Sequence, residues 1–241
     1  MRAMLGAAAV LAAGYALGGA LLWGLLNVPE SNALALTLSA VLVVLAAMTV
    51  GVTTALAAAV SLEAGRQAWT RRVLASLPAL AIGLALFALL WWLTGAAATW
   101  WGRHAGEVDA LMISRTGLTR TSPLHGAVAW ALWFVRWVVG LSAIGALAVA
   151  SIDRGPGAVG IGLRLALRAV PLAAATAGAL LVSQGLWRSI DWAPASLPAN
   201  WAEPLFVGTK LAVLYALAAL IVAGVLRVYG TRLRTSTTTV P

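Results

Sequence analysis

The sequence predicts an all-α, polytopic transmembrane bundle of six helices with both termini in the cytoplasm. Three observations lead there: the composition, six long apolar runs, and the placement of the arginines. Of the 241 residues, 62% are hydrophobic and 10% are charged, whereas soluble domains carry roughly 45–50% apolar and about 25% charged residues. A soluble globule and an intrinsically disordered chain are therefore both excluded, the latter because disorder requires low hydrophobicity.

Six runs are long enough to cross a bilayer, whose hydrocarbon core of about 30 Å requires roughly 20 apolar helical residues. They cover residues 3–26, 33–62, 73–102, 126–152, 171–187 and 205–226. Each run is rich in Ala and Leu, which favour helix, and none shows the alternation of a barrel strand. The chain is therefore predicted to be one integral membrane domain, with an outer loop at 103–125 and a disordered tail at 235–241.

The first run has a second interpretation as a signal peptide. Arg2 would be its basic flank, and the small residues at 18–20 would be its cleavage site. Cleavage would leave five spans and the same topology for the rest of the chain. The run is longer than the usual apolar region of about 7–15 residues, which favours a retained span.

The arginines determine the predicted orientation, because cytoplasmic loops of membrane proteins carry an excess of basic residues. With a cytoplasmic N-terminus, the inner side carries Arg2, Arg66, Arg71, Arg72, Arg154, Arg164, Arg168, Arg227, Arg232 and Arg234. The outer side carries Arg103, Arg115, Arg120 and Arg188. The formal charge of +9 is thus explained by the topology, and no nucleic-acid partner is expected. The predicted location is the cytoplasmic membrane of a bacterial-type cell.

Two basic segments precede a proline and a span. Residues 65–72 precede Pro78, and residues 162–168 precede Pro171. We call these segments the basic elbows; their arginines are Arg66, Arg71, Arg72, Arg164 and Arg168. Each is expected to be a short helix on the membrane surface, since proline suits a first helical turn and arginine side chains can extend to phosphates. They either anchor the protein in the membrane or contact a cytoplasmic partner such as an ATPase.

Small residues are frequent within the spans. Gly14 and Gly18 form a GxxxG pattern in the first run, and Ala and Gly crowd the second, third and fifth. Small faces allow close helix packing in lipid. They predict a tightly packed bundle, and they leave room for other membrane subunits or a homo-oligomer as partners.

The chain contains 12 tryptophans, most of them at the predicted outer ends of spans. Indole rings prefer the membrane boundary, so an anchoring belt is one interpretation. A tryptophan-lined pocket for a sugar, lipid or pigment is the other, and Trp133, beside the charged residue of the fourth run, belongs to it.

Arg136 is the most informative residue, because it interrupts the fourth run. A charge within a membrane span is costly, and by default it marks a functional site. The runs contain no acidic residue to neutralise it. Its partners are therefore expected among helix carbonyls, polar groups such as Ser183, Gln184 or Thr209, water, or an anionic ligand. Ligand binding, a structural hydrogen-bonding role and extension toward the outer leaflet all remain open.

Lys210, the only lysine, lies near the start of the sixth run. It either extends to the outer boundary or joins Arg136 in a positive outer cavity that attracts anions. A retinal Schiff base is disfavoured by six spans and by the absence of an acidic counter-ion within them.

The predicted outer loop contains both histidines, His104 and His125, together with Glu107 and Asp109. His104 and Glu107 could share a helical face, as in zinc sites, but the spacing matches no metal signature. No hydrolase, nucleotide-binding or metalloprotease motif is present, and with no cysteine there is no thiol chemistry. The sequence predicts neither a metal site nor an enzyme, and it identifies no cofactor.

These features predict a transport-type subunit, permease or channel-like, that binds an anionic or amphiphilic ligand near Arg136. Lys210, Gln184 and Trp133 are the further candidate ligand residues. A carrier driven by protons or sodium usually requires an intramembrane carboxylate, and the runs contain none. The alternative is a non-catalytic structural or assembly subunit of a larger membrane complex.

Overall fold

The computed structural model describes residues 1–29, 32–62, 69–116, 122–186, 188–189 and 202–235, and within them the chain is helical without any strand. The α-helices are α1 (Arg2–Leu26), α2 (Ala33–Ser61), α3 (Trp69–Thr116), α4 (Ser122–Trp133), α5 (Gly140–Arg154), α6 (Val159–Ala166), α7 (Ala169–Leu180) and α8 (Ala202–Thr235). Two π-helical segments, Phe134–Val139 and Leu181–Leu186, follow α4 and α7.

Six helical stretches are long and apolar enough to cross a membrane, as the sequence predicts. They are Arg2–Leu26, Ala33–Ser61, Thr70–Arg115, Pro123–Arg154, Ala169–Leu186 and Pro204–Thr235. The fourth stretch joins α4, the first π-helical segment and α5, and the fifth joins α7 and the second. The six-helix architecture is therefore confirmed, while its orientation across a bilayer stays a prediction.

The stretch expected as an outer loop, 103–125, is largely helical. α3 continues through it to Thr116, and α4 begins at Ser122; residues 117–121 lie outside the described part. Residues 103–116 contain no proline, so nothing in them forces the helix to end. With 48 residues, α3 is roughly 72 Å long, which is longer than a hydrocarbon core of about 30 Å requires. At the other end of the chain α8 continues to Thr235, and the predicted disordered tail otherwise lies outside the described residues.

The two basic elbows differ. The second forms a separate short helix, α6, and Pro171 lies in the first turn of α7, as expected. Its arginines, Arg164 and Arg168, are exposed. The first does not turn at Pro78, because α3 runs through that proline without a break.

In the first elbow Arg71 and Arg72 are therefore exposed residues in the first turns of α3 itself. Arg66 lies outside the described residues. A proline within a spanning helix is tolerated where neighbouring groups satisfy the freed carbonyl.

The core lies at one end of the bundle and is centred on α5. Of the 18 most apolar consecutive residues in the fourth span, 56% are buried. The corresponding share in the other five spans is 11% to 28%. Residues 142–152 of α5 pack against the end of α2, the start of α3 and the end of α8. α6 folds back against α5 so closely that a Cβ on Gly162 would lie 3.0 Å from the Cα of Leu147. This is the end that the arginines predict to be cytoplasmic; toward the opposite end the helices leave clefts between them.

A cavity between the third and fourth spans

Several polar side chains come together in a cavity of about 310 Å³ between α3 and the fourth span. Its polar lining comprises Arg136, His125 and the three tryptophans Trp101, Trp133 and Trp137. The rest of the lining is Ala, Val and Leu. α3 supplies one wall, and α4 with the first π-helical segment supplies the other. The cavity is thus an apolar slot with one permanent positive charge.

Arg136 lies within the π-helical segment Phe134–Val139. π-helical turns are rare and occur frequently at functional sites. The Arg136 Nε donates a hydrogen bond to the Thr94 hydroxyl at 2.9 Å, and the guanidinium carbon lies 4.4 Å from the centroid of the Trp91 ring. α3 therefore holds the side chain by one hydrogen bond and one cation–π contact, the latter worth roughly 0.5–2 kcal/mol.

No carboxylate of the described residues pairs with Arg136. A guanidinium has five N–H donors, and Thr94 receives one of them. The other four make no hydrogen bond to the described part of the chain. A half-buried cation with unused donors, at the end of an apolar cavity, is suited to receive an anion.

Aromatic contacts fix the ring on which Arg136 lies. Trp91 meets Trp137 edge to face with centroids 5.2 Å apart, and its centroid lies 5.8 Å from that of Phe87. Aromatic pairs prefer this kind of geometry. The ring beneath the cation is thus itself in contact with two further aromatic rings.

His125, also in the cavity lining, takes part in a three-residue chain of hydrogen bonds. Trp101 Nε1 donates to His125 Nδ1 at 3.1 Å, and His125 Nε2 lies 3.0 and 3.1 Å from the two carboxylate oxygens of Asp109. Because an indole N–H can only donate, Nδ1 must accept. His125 is therefore neutral in this arrangement, and its Nε2–H donates to Asp109.

The cavity unites two of the four candidate ligand residues, Arg136 and Trp133. Lys210 and Gln184 are not part of its lining. Lys210 lies on α8 with its Nζ 5.5 Å from the Phe206 ring centroid, and Gln184 lies in the second π-helical segment. Beside it, Ser183 Oγ is buried without a hydrogen-bond partner among the described residues.

The sequence did not identify Thr94 or the Asp109–His125 pair. Thr94 takes the place expected for Ser183, Gln184 or Thr209, and its only sequence signal is a hydroxyl residue in an apolar run. The sequence predicts a loop around Asp109 and His125, and within a loop their separation of 16 residues indicates no contact.

The histidine considered for zinc makes local contacts instead. His104 stacks on Trp100 with centroids 4.8 Å apart, and its Nδ1 lies 2.9 Å from the Trp100 carbonyl. Across the described ranges, no three His, Asp or Glu side chains are close enough to hold a metal ion.

The tryptophans divide between the two interpretations of the sequence. Trp101, Trp133 and Trp137 line the cavity. Others are well exposed, with Trp23 at 70% and Trp92 at 67%, as an anchoring belt requires.

A second cleft of about 620 Å³ lies between α1, the second π-helical segment and α8. Its lining is almost wholly apolar and includes Tyr15 and Tyr215. Both hydroxyls are already bonded, that of Tyr15 to Thr54 at 3.1 Å and that of Tyr215 to the Ala12 carbonyl at 2.8 Å. This cleft contains no charge to select a ligand, so the Arg136 cavity is the stronger candidate.

Comparison of the chain with protein-family models, with curated proteins and with solved structures gives no match. The functional argument therefore depends on the geometry of the cavity.

Proposed function

We propose that this chain is a transport-type subunit of the cytoplasmic membrane that binds an anionic or amphiphilic ligand at Arg136, with both termini in the cytoplasm and no catalytic activity. The observation that carries the proposal is the Arg136 guanidinium itself. It is half-buried in an apolar cavity, pairs with no described carboxylate, and uses one of its donors.

The energetics support a ligand. A charged side chain within a membrane span costs several kcal/mol unless it is compensated, and one neutral hydroxyl and one indole face compensate it only in part. An anion that accepts two hydrogen bonds from the guanidinium would form a bidentate, charge-assisted pair, the strongest class of hydrogen bond in proteins.

The cavity limits the size and character of that ligand. A volume of about 310 Å³ lies at the lower end of the range for ligand pockets, roughly 300–1,000 Å³. The three tryptophans and the aliphatic lining offer contact to an apolar body. A small anionic headgroup with a short apolar portion fits both features.

Binding to the purified protein in phosphatidylcholine nanodiscs tests the proposal. Octyl sulfate serves as an amphiphilic probe and inorganic sulfate as a free-anion probe, and empty nanodiscs give the background. We expect saturable binding to the wild type and a loss of at least about tenfold in affinity in Arg136→Gln, since charge-assisted hydrogen bonds contribute roughly 1.5–3 kcal/mol. Arg103→Gln is the matched control, because Arg103 is exposed on α3 outside the cavity.

The two probes separate the possible sources of the anion. Saturable binding of octyl sulfate alone would indicate a lipid-like ligand, and binding of both would indicate recognition of the headgroup. Equal affinities of the wild type and Arg136→Gln for both probes would refute the proposal.

An assembly subunit is the alternative, and one observation favours it. None of residues 36–45 in the first half of α2 is buried, so lipid or a partner helix must cover that stretch. If Arg136→Gln left a native complex intact while substitutions to Asn along residues 36–45 dissociated it, the assembly role would replace the transport role.

A further inference from the structure

We propose that His125 and Asp109 form a proton-binding site coupled to the anion site, so that the ligand binds at Arg136 together with a proton. The inference deepens the proposed function and rests on it. It is carried by the hydrogen-bonded chain Trp101–His125–Asp109, because Trp101 and His125 line the same cavity as Arg136.

The charge in the cavity depends on His125. With Asp109 ionised and His125 neutral, the positive charge of Arg136 is balanced by the negative charge of Asp109. A proton on His125 leaves the group with a net charge of +1. Histidine is the side chain that ordinarily changes charge between pH 5 and 8.

Few other charges act on this site. On α3 the remaining titratable or charged side chains near it are Arg103, His104 and Glu107, none of which lines the cavity. α4 contains no other charged residue, and α7, which packs against the first π-helical segment, contains none. Among the described side chains, Asp109 is thus the charged group bonded to His125, and Arg136 is the charged group that shares the cavity with it.

Protonation also converts a hydrogen-bond acceptor, the His125 Nδ1, into a donor. The Nδ1 of neutral His125 accepts from Trp101, whereas both nitrogens of an imidazolium donate. The Trp101 indole must then turn away, and Nδ1–H becomes a second donor toward the cavity. Nε2–H keeps its bond to Asp109, which stabilises the imidazolium.

The coupling between proton and anion is reciprocal by thermodynamic linkage. If the proton strengthens anion binding, the anion must strengthen proton binding by the same factor. This arrangement supplies what the apolar runs lack, an ionisable group for the coupling ion. Its carboxylate lies in the helical extension of α3, a stretch that the sequence predicts as an outer loop.

The experiment measures octyl sulfate and inorganic sulfate affinity in phosphatidylcholine nanodiscs at pH 5.5 and 8.0, because both probes keep a constant charge over that range. We expect the wild type to bind about tenfold more tightly at pH 5.5, as one added charge in a partly desolvated cavity implies. His125→Gln should lose this difference. His104→Gln is the matched control and should keep it, since it removes the other histidine outside the cavity.

A second measurement uses the wild type alone. Addition of octyl sulfate in weakly buffered solution near pH 7 should cause net proton uptake, read with a pH-sensitive dye. Undiminished pH dependence in His125→Gln, or no proton uptake by the wild type, would overturn this inference while leaving the anion site intact. Loss of the anion site itself appears separately, as equal binding by Arg136→Gln and the wild type at both pH values.

Discussion

At the residue scale, two hydrogen-bonded pairs of polar side chains join different helices inside the bundle. Ser142 on α5 lies 2.7 Å from the Tyr229 hydroxyl on α8, and Tyr15 on α1 lies 3.1 Å from Thr54 on α2. Hydrocarbon offers no substitute partner for such groups. These bonds therefore select one arrangement of the helices as well as stabilising it.

The Ser142–Tyr229 pair gives a prediction about stability. Both residues are almost fully buried, at 2% and 1% exposure, so Ser142→Ala leaves the Tyr229 hydroxyl without its partner. We expect the free energy of unfolding to fall by about 0.5–2 kcal/mol, measured by thermal unfolding in mild detergent. Ser114→Ala is the control, because that serine is exposed and bonds only within its own helix.

A double-mutant cycle with Tyr229→Phe isolates the contact. The combined variant should lose less stability than the sum of the two single losses. Strict additivity, or a loss in Ser142→Ala no larger than that in Ser114→Ala, would show that the hydrogen bond contributes nothing.

The sequence identifies Arg136 because a lone charge stands out in an apolar run, but it cannot identify the partner. Thr94 also lies 2.7 and 3.0 Å from the carbonyls of Leu90 and Trp91, as hydroxyl residues in spans commonly do. Only the packing of α3 against the fourth span makes it an acceptor for arginine. The His125–Asp109 contact likewise requires two helices to meet, which no spacing rule reports.

At the element scale, the GxxxG pattern of α1 lies at its contact with α2. A Cβ on Gly14 would clash with the Thr53 side chain, and one on Gly18 would lie 3.7 Å from Val50. Small residues thus allow the first two helices to approach closely, as expected of such a face in lipid.

The α1–α2 contact predicts that substitution to alanine changes stability differently at two glycines of α1. Gly14→Ala should destabilise the protein by about 1–3 kcal/mol, because the added methyl meets the rigid base of Thr53. Gly24→Ala should be neutral or slightly stabilising, since nothing lies within 4 Å of its Cβ position and alanine favours helix. Thermal unfolding of both variants provides the test, and equal shifts in the same direction would contradict the α1–α2 contact.

Helix number was predictable, and helix ends were not. Apolar runs of about 20 residues determine the count, whereas α3 continues to Thr116 because polar residues can extend a helix beyond the membrane. The two basic elbows also show that a proline does not determine where a helix begins. Pro171 lies in the first turn of α7, whereas Pro78 lies inside α3.

At the scale of the whole molecule, tight packing and positive charge coincide at one end. The buried part of α5 meets the end of α8 there, and Arg234 donates a hydrogen bond to the Leu62 carbonyl at the end of α2 at 2.7 Å. A cation at a helix C-terminus is favoured by the helix dipole. The cavity lies toward the opposite end, which the arginines predict to be outside, so we expect a ligand to reach it from that side.

The side from which a ligand enters therefore depends on the orientation of the bundle across the membrane. Because the sequence contains no cysteine, single introduced cysteines can measure that orientation by labelling. Gly106→Cys places a thiol in the exposed extension of α3, with nothing within 4 Å of its Cβ position, and Thr231→Cys places one on the exposed face near the end of α8. In intact cells a membrane-impermeant maleimide should label Gly106→Cys at once, and Thr231→Cys only after permeabilisation. The reverse pattern would open the cavity to the cytoplasm and make its ligand a cytoplasmic anion. Labelling of both positions in intact cells would mean that an even number of spans lies between residues 106 and 231, instead of the three predicted. The topology would then have to be redrawn.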